Sequence, residues 1–325
     1  MPSPRKAIVT GGAGFIGSHL CEALVSPKEG YHVVAIDNLR TGNERRLGHL
    51  VDSAKLELHK LDLTKGLISP DLLLGTDLLF HLAANPEVRI GKSDTLVDFE
   101  NNIVATRNLL EALRNAEFRG TMVFASSSTV YGEARVIPTP EDYGPLIPIS
   151  MYGASKLACE SLISAYAKLF GFKAKLIRFA NVVGGRSNHG VIYDFLQKLR
   201  SNPKKLEVLG DGTQSKSYVH ISDCVDGLMA STNLGLDVDV FNLGSAQTTN
   251  VLQIARIVAE EMGINEPAIE TGYGQGTGGA GWPGDVKNML LDCQKLSRAG
   301  WSIKYSSDEA VRKAANEMVS ATSRS

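Results

Sequence analysis

Short apolar runs alternate with longer stretches of helical periodicity from residue 6 to about residue 180. Lys6-Ala-Ile-Val, Tyr31-His-Val-Val-Ala-Ile-Asp37, Lys55-Leu-Glu-Leu-His, Asp77-Leu-Leu-Phe-His-Leu-Ala-Ala84 and Thr121-Met-Val-Phe-Ala read as five strands. Between them, Ser18 to Val25, Thr95 to Ala116 and 152–170 read as helices. In the second of these, Phe99, Ile103, Leu109, Leu110 and Leu113 mark an apolar face. Strand and helix alternating in this way predict an α/β fold with a doubly wound parallel sheet. Beyond Arg178 the alternation weakens. Helical runs near 191–201, 222–232, 250–263 and 306–320 are separated by short strand-like pieces, Leu206-Glu-Val-Leu and Ser217-Tyr-Val-His-Ile. That half reads as a smaller mixed α/β domain, its tail frayed after about Ser320.

The punctuation between the first strand and helix is Thr10-Gly-Gly-Ala-Gly-Phe-Ile-Gly17. Gly11 or Gly12 would turn the backbone, Gly14 would leave room for a pyrophosphate, and Gly17 would let helix and strand pack closely. The helix start then offers N–H groups and partial positive charge to phosphate. Asp37 ends the second strand about 20 residues beyond the last glycine, where a carboxylate accepts from the adenosine ribose hydroxyls. This is a dinucleotide site. Arg40 favours a 2′-phosphate, but Asp37 repels one, so NAD is expected over NADP. The loop Asn38 to Asn43 would wrap the adenosine. Asp62, before Leu63, either meets the adenine amino group or caps the next turn. Ala83 and Ala84 leave space for a ligand at a strand exit, and Asn102 either anchors neighbouring strand ends or faces solvent. A second match to the same glycine pattern, Gly276 to Gly281, lacks a strand before it and a helix after it, and reads as a loop.

Strand five runs into Ser126-Ser-Ser-Thr-Val-Tyr-Gly132, placing hydroxyls at a strand end where such sheets bind ligands. Tyr152-Gly-Ala-Ser-Lys156 follows a Pro-rich loop. On a helix, Tyr152 and Lys156 share a face, and an ammonium there lowers the tyrosine pKa toward that of a working base.

Composition narrows the classes. The chain has 325 residues and a net charge of −1, which gives no nucleic-acid footprint. No apolar run is long enough to span a membrane, and the start carries no signal-peptide core. The four cysteines are scattered and read as reduced thiols of a cytoplasmic protein. The seven histidines show no metal-ligand spacing, so no metal is expected; His81 and His220 sit in strand-like runs as structural residues.

With these motifs in one chain, the sequence resembles the extended short-chain dehydrogenase/reductases, within them the nucleotide-sugar epimerases and dehydratases, and most of all the UDP-glucose (UDP-galactose) 4-epimerases. The glycine turn, DNL at 37–39, DL at 62–63, HLAA at 81–84, SSSTVYG, YGASK, RFANVVG at 178–184, GDGTQ at 210–214 and SYVHISD at 217–223 follow in family order. The resemblance implies an NAD-binding Rossmann domain over 1–180 and a mainly substrate-binding domain over 181–325, with some segments returning to the first. Gly11, Gly14, Phe15, Ile16, Gly17, Asp37, Asn38, Arg40, Thr41, Gly42, Asp62, Leu63, Leu82, Ala83, Ala84, Asn102, Tyr152 and Lys156 would hold NAD. Tyr152 would be the base and Lys156 its activator. Ser127, with Ser128 as second candidate, would bond the sugar 4-hydroxyl. Asn181 would hold the diphosphate, and Val191, Lys216, Tyr218 and Asp285 would complete the substrate site.

The family's dehydratases and decarboxylases carry carboxylates where this chain has Ser128 and Thr129, which points to epimerisation of a UDP sugar at C4. Other UDP sugars, a net reductase and a non-enzymatic dinucleotide sensor are the competing readings. Two departures concern the diphosphate: Lys216-Ser217 replaces Arg-Asp, and Trp282 stands where an arginine is common. Lys287, Arg186 or Arg89 would have to compensate. Relatives of this kind often dimerise through the helices at 93–115 and 152–171, so a homodimer is expected.

Overall fold

A computed structural model describes residues 5–274 and 277–322. Its elements, in chain order, begin with β1 (Lys6–Thr10), α1 (Phe15–Leu24), β2 (His32–Asp37), α2 (Gly48–Asp52), β3 (Leu56–Lys60), α3 (Pro70–Leu73) and β4 (Thr76–His81). Next come α4 (Leu96–Asp98), a π-helical stretch (Phe99–Val104), α5 (Ala105–Asn115), β5 (Thr121–Ser127), α6 (Met151–Phe170) and β6 (Lys173–Phe179). The remainder is β7 (Asn181–Val183), α7 (Val191–Ser201), β8 (Lys205–Leu209), β9 (Ser215–Lys216), β10 (Tyr218–His220), α8 (Ile221–Ser231) and β11 (Val238–Leu243). It continues through β12 (Thr249–Asn250), α9 (Val251–Glu261), β13 (Ala268–Tyr273), β14 (Asn288–Met289), α10 (Gln294–Arg298) and α11 (Ser307–Thr322).

Two compact units divide the chain. The first comprises Met1–Ser127, Ala154–Arg178 and Leu228–Phe241; the second comprises Ser128–Gly153, Phe179–Gly227 and Asn242–Ser325. The first unit is built on a seven-stranded sheet of order β11-β6-β5-β4-β1-β2-β3. β3, β2, β1, β4 and β5 pair in parallel. This is the doubly wound α/β fold that the alternation predicts. The order reverses between β1 and β4, and ligands bind at the carboxyl ends of strands flanking such a reversal.

The alternation of a strand explains how both faces are covered. Ile8, Val34, Ile36, Leu79, Met122 and Phe124 pack with Leu109, Leu110 and Leu113 of α5 and with Cys159, Ile163 and Ala167 of α6. Ala7, Val9, Val33 and Ala35, at the alternate positions, are buried as well, and α1 packs on β1 and β2. β11 was not foreseen: it joins the sheet edge beside β6 from far along the chain. Phe99 was expected on the apolar face but is 49% exposed. The π-helical stretch starting at this residue has more residues per turn than an α-helix, so the face set by Leu109 and Leu113 no longer includes it.

The second unit has its own core. Ile192, Phe195, Leu196 and Leu199 of α7 meet Leu206 and Val208 of β8, Ile254, Ile257 and Val258 of α9, and Ala310, Val311 and Ala314 of α11. β10 pairs in parallel with β7, which places Tyr218 opposite Asn181. A three-stranded sheet of order β12-β9-β14 carries Lys216. Helix α11 runs to Thr322, past the point where fraying was expected, and 323–325 lie outside the described residues. The same holds for Gln275 and Gly276 of the glycine-rich loop, in which Thr277–Gly279 form a short 3-10 turn.

Candidate active site

The glycine turn sits at the sheet's reversal point. Gly11 makes the turn with φ +71°, and its N–H donates to the Ile36 carbonyl at 2.7 Å. Gly12 instead gives way to Ala35: a Cβ on Gly12 would lie 2.7 Å from the Ala35 methyl. Gly14 is the N-cap of α1, and no side chain caps this helix. The first N–H groups of a helix have no partner within it, so here they are offered outward from Phe15, Ile16 and Gly17. A Cβ on Gly17 would fall 2.1 Å from the Gly11 carbonyl oxygen. Gly17 therefore lets the helix approach the turn itself, where the sequence pattern predicts an approach to the strand.

β4 closes the other side of the turn. Leu82 N–H donates to Thr10 O at 3.1 Å, and Ala83 N–H to Thr10 Oγ1 at 3.3 Å. A Cβ on Gly11 would meet Ala83 N at 2.8 Å. Ala84 follows, half-buried. Beneath them, the buried His81 ring bonds Thr10 Oγ1 at 2.7 Å and Thr106 Oγ1 at 2.9 Å. Burial lowers the His81 pKa to about 3, with the Lys156 charge adding to the effect, so the ring is neutral. His81 is structural, as its place in a strand predicts.

Asp37 stands at the end of β2. Its Oδ2 accepts from Ala13 N–H at 3.0 Å and its Oδ1 from Leu39 N–H at 2.8 Å. Burial raises its pKa, against the pull of these two donors. Gly42 brings the following loop back onto it, since a Cβ there would lie 2.7 Å from Asp37 Oδ1. Asn38, Arg40 and Thr41 are exposed on that loop, and Arg40 donates to Asn101 Oδ1 at 3.3 Å. Asp62 Oδ1 accepts from both Thr64 N–H and Thr64 Oγ1, at 2.9 and 2.7 Å, so this oxygen caps the turn. Leu63 is buried, and its carbonyl accepts from Asn108 Nδ2 at 2.8 Å. A left-handed glycine, an uncapped helix start, two glycines with no room for a side chain and a carboxylate at the end of β2 fit a dinucleotide without a 2′-phosphate.

The end of β5 carries the second cluster of the first unit. Lys156, 2% exposed, donates from Nζ to the Ala125 carbonyl at 2.7 Å and lies 4.9 Å from the Phe124 ring centroid. Burial lowers its pKa to about 8, opposed by Cys159, Asp98 and Glu160. Asn102 is buried in the π-helical stretch. Its Nδ2 donates to Ser155 Oγ at 2.8 Å, and its Oδ1 accepts from Asn85 N–H at 2.8 Å. It therefore anchors the segment leaving β4, one of the two roles its sequence left open. Ser126 Oγ donates to Glu160, which Arg178 grips twice, Nε to Oε1 at 3.0 Å and Nη2 to Oε2 at 2.8 Å. Sequence reasoning placed Ser126 in the hydroxyl cluster and Arg178 at the head of a family motif without giving either a role, and it passed over Glu160 and Asp98. Glu160 had a signal, since it lies one further turn along the helix from Tyr152 and Lys156.

The division between units falls after Gly153, in the first turn of α6. Tyr152 lies half-buried in that turn, four residues before Lys156 and on the same helix face. Within the second unit, Ser128–Tyr131 form a 3-10 turn directly after Ser127. A Cβ on Gly153 would come 2.7 Å from the Thr129 carbonyl, so the start of α6 packs against this turn. Ser128 and Thr129 are half-buried there.

The remaining predicted residues of the second unit gather around β9 and β10. Asn181 donates from its backbone N and its Nδ2 to the Ser217 carbonyl, at 3.1 and 3.2 Å. Lys216 Nζ pairs with Asp285 Oδ1 at 2.5 Å and lies 5.3 Å from the Trp282 ring centroid. Asp285 is buried, and its Oδ2 also accepts from Gly281 N–H at 3.2 Å. Burial, with the Asp285 charge, raises the pKa of the buried Tyr218. Val191 opens α7, behind Gly190 with φ +89° and no side-chain cap. No hydrogen bond described here joins Val191 to the others. Of the cations proposed to compensate for the missing arginine, Lys287 holds Asp211 at 2.8 Å and the Gly278 carbonyl at 2.9 Å, and Arg89 pairs with Glu87 at 2.9 Å. Among the described residues no cluster of His, Cys, Asp or Glu has a metal-site arrangement, and no helix is long and apolar enough to cross a membrane.

Comparison with known proteins is consistent with this geometry. Residues 7–244 match the model of the NAD dependent epimerase/dehydratase family. A putative UDP-glucose 4-epimerase of Methanocaldococcus jannaschii is 29% identical over 96% of this chain and 97% of its own length. A crystal structure of a UDP-galactose 4-epimerase is 43% identical, with a TM-score of 0.84, covering 97% of this chain and 99% of that one. A UDP-glucuronic acid 4-epimerase from Bacillus cereus, solved with UDP-glucuronic acid and NAD, is 29% identical, with a TM-score of 0.86, covering 98% of this chain and 99% of that one.

Proposed function

Because the chain belongs to the NAD-dependent epimerase/dehydratase family, we propose that this NAD-dependent enzyme interconverts UDP-galactose and UDP-glucose by inverting C4 through a 4-keto sugar. The observation that carries the reading is the start of α6. Tyr152 lies one helical turn from a buried Lys156, itself tied to β5 just before a run of hydroxyl residues that holds no carboxylate.

Gly11, Gly14, Phe15, Ile16, Gly17, Asp37, Asn38, Arg40, Thr41, Gly42, Asp62, Leu63, Leu82, Ala83, Ala84 and Asn102 are proposed to hold NAD. Bound there, NAD would supply a hydride acceptor and donor for C4 of the sugar. Tyr152 takes the proton of the sugar 4-hydroxyl at its phenolate oxygen and gives it back to the inverted oxygen. Lys156 stabilises that phenolate by its charge. Ser127, with Ser128 beside it, donates to the sugar O4. Asn181 and Lys216 bind the diphosphate, and Val191, Tyr218 and Asp285 complete the substrate contacts. Ser128 and Thr129 offer no acid to expel a hydroxyl or to direct loss of a carboxyl group, so the keto sugar is reduced again unchanged.

The test is incubation with UDP-galactose and no added cofactor, followed by chromatography for UDP-glucose. Product supports the reading. Turnover of N-acetylated or uronic-acid UDP sugars alone would move the substrate assignment to those, and stoichiometric consumption of added NADH would replace epimerisation by reduction.

A homodimer through the outer faces of 93–115 and 152–171 is part of the proposal. It is supported by exposed Leu96, Phe99 and Leu169, the last 75% accessible. A light-scattering mass of one chain would remove it. A cytoplasmic location is proposed on the four free cysteines.

A further inference from the structure

Asp98 lies at the end of α4, where the helix passes into its π-helical stretch, and is 0% exposed. Its Oδ1 accepts from Asn85 Nδ2 at 3.0 Å and from Asn102 Nδ2 at 3.3 Å. Its Oδ2 is buried and has no hydrogen-bond partner. A buried carboxylate with a bare oxygen is costly unless a positive charge faces it. Burial raises the Asp98 pKa, opposed by the Asn85 and Asn102 amides and by the charge of Lys156, the cation that acts on it.

The surroundings of Lys156 lead to the same pair. On its own helix, Tyr152, Cys159 and Glu160 are the titratable neighbours; β4 contributes the neutral His81, and β5 the Ala125 carbonyl and the Phe124 ring. Glu160 is already paired by the two-point grip of Arg178, and it also accepts from Ser126 Oγ. Burial keeps the Cys159 thiol protonated, and it donates to Asn102 O and Thr106 Oγ1 at 3.4 and 3.3 Å. Of the two carboxylates whose charge acts on Lys156, Asp98 is the one that no arginine grips.

We propose that Asp98 is a positioning residue for the catalytic lysine. Its buried carboxylate is the counter-charge that keeps Lys156 an ammonium one turn below Tyr152, and it locks Asn85 and Asn102 around that charge. The inference rests on the roles given above to Tyr152 and Lys156. Asp98 and Asn102, four residues apart and so on one helix face, both bond Asn85.

The experiment compares wild-type, Asp98→Asn and Asp98→Glu proteins as purified. Asn at 98 keeps an acceptor for both amides and removes the charge alone. Two titrations are read: the alkaline limb of kcat, and the Tyr152 phenolate absorbance obtained by subtracting the Tyr152→Phe spectrum. Asp98→Asn is expected to move the alkaline limb down by about one pH unit and the phenolate signal to higher pH, with KM little changed. Asp98→Glu should return both toward wild type. Coincident titrations in wild-type and Asp98→Asn proteins would overturn the inference, as would a loss of thermal stability with no movement of either curve. If the wild-type protein turns over no UDP sugar, the proposed reaction fails, while the phenolate titration still decides the role of Asp98.

Discussion

Lys156 Nζ donates to the carbonyl of Ala125 at 2.7 Å, two residues before Ser127. One bond thus sets the height of α6 against the end of β5, and with it the relation of the lysine to the strand that carries the serines. Tyr152→Phe leaves this bond in place. It is expected to cost about 10²- to 10⁴-fold in turnover while the NAD content of the purified protein stays at the wild-type level. Lys156→Met removes both the charge and the bond, and should lower turnover and NAD content together. Near-normal kcat in Tyr152→Phe would remove the assignment of the base.

The pH dependence of activity and of stability should run in opposite directions above pH 8. In the folded protein Lys156 gives up its proton at about 8, well below the ordinary lysine value of about 10.5. As pH rises through 8 the ammonium that supports the Tyr152 phenolate is lost, so kcat falls. Between 8 and 10.5 the unfolded chain still holds the proton that the folded chain has released, so this residue's contribution to stability rises with pH. Below 8 both states are protonated and the full cost of burying the charge is present. Activity profiles and urea midpoints across this range measure the two effects. Lys156→Met should lack the stability component.

His81 makes a prediction of the same sign at acid pH. Its folded pKa is lowered to about 3 by burial, against about 6.5 when unfolded. Below 6.5 the unfolded chain takes up a proton that the folded ring refuses, so stability falls as pH falls, by about 1.4 kcal/mol per pH unit from this residue alone, until about 3. His81→Phe leaves the Thr10 and Thr106 hydroxyls without the ring, costing about 1–3 kcal/mol at neutral pH. It should also flatten the acid slope by the equivalent of one proton. Denaturation at a series of pH values separates the two contributions.

The glycines of the turn should divide by what they do. A methyl at Gly17 meets the Gly11 carbonyl oxygen at 2.1 Å, closer than any real contact, so Gly17→Ala must displace the turn and lower the melting temperature of the protein. A methyl at Gly14 would lie 3.0 Å from that oxygen, a tight contact that a shift of a few tenths of an ångström would relieve. Gly14→Ala is therefore expected to melt close to wild type but to bind NAD about tenfold more weakly, about 1.4 kcal/mol, by crowding the pyrophosphate. Equal NAD affinity in Gly14→Ala would place the pyrophosphate away from Gly14.

What the sequence made legible was local. The glycine turn, the Asp37 strand end and the spacing of Tyr152 and Lys156 each depend on a few adjacent residues whose geometry follows from strand or helix period. Four helices of the second half, α7, α8, α9 and α11, were also foreseen within a residue or two, while the short α10 was not. What stayed hidden depends on residues distant in sequence. β11 takes the sheet edge beside β6 because its partner strand lies far upstream, and nothing in Val238–Leu243 names that partner. The grip of Arg178 on Glu160 and the burial of Asp98 arise where strand ends and helices meet. The displacement of Phe99 comes from a π-helical turn that residue periodicity does not reveal.

The pair at Lys216 and Asp285 bears most directly on which sugar nucleotide is held. The family resemblance leads one to expect an arginine where this chain has Lys216, whose ammonium is engaged by Asp285 beneath the ring of Trp282. Asp285 is buried, so Lys216→Met would leave its carboxylate with only the Gly281 N–H and cost about 3 kcal/mol. Adding Asp285→Asn should recover most of that loss, because the uncompensated charge is then gone. Lys216→Arg keeps the ion pair and adds donors in a fixed fork that can serve carboxylate and phosphate together. It is expected to retain stability and lower KM for the UDP sugar. The two readings of Lys216 separate in the double variant Lys216→Met/Asp285→Asn. A restored melting temperature with raised KM makes the ammonium a diphosphate ligand as well as a clasp. A restored melting temperature with unchanged KM makes it a clasp alone and removes Lys216 from the proposed diphosphate site.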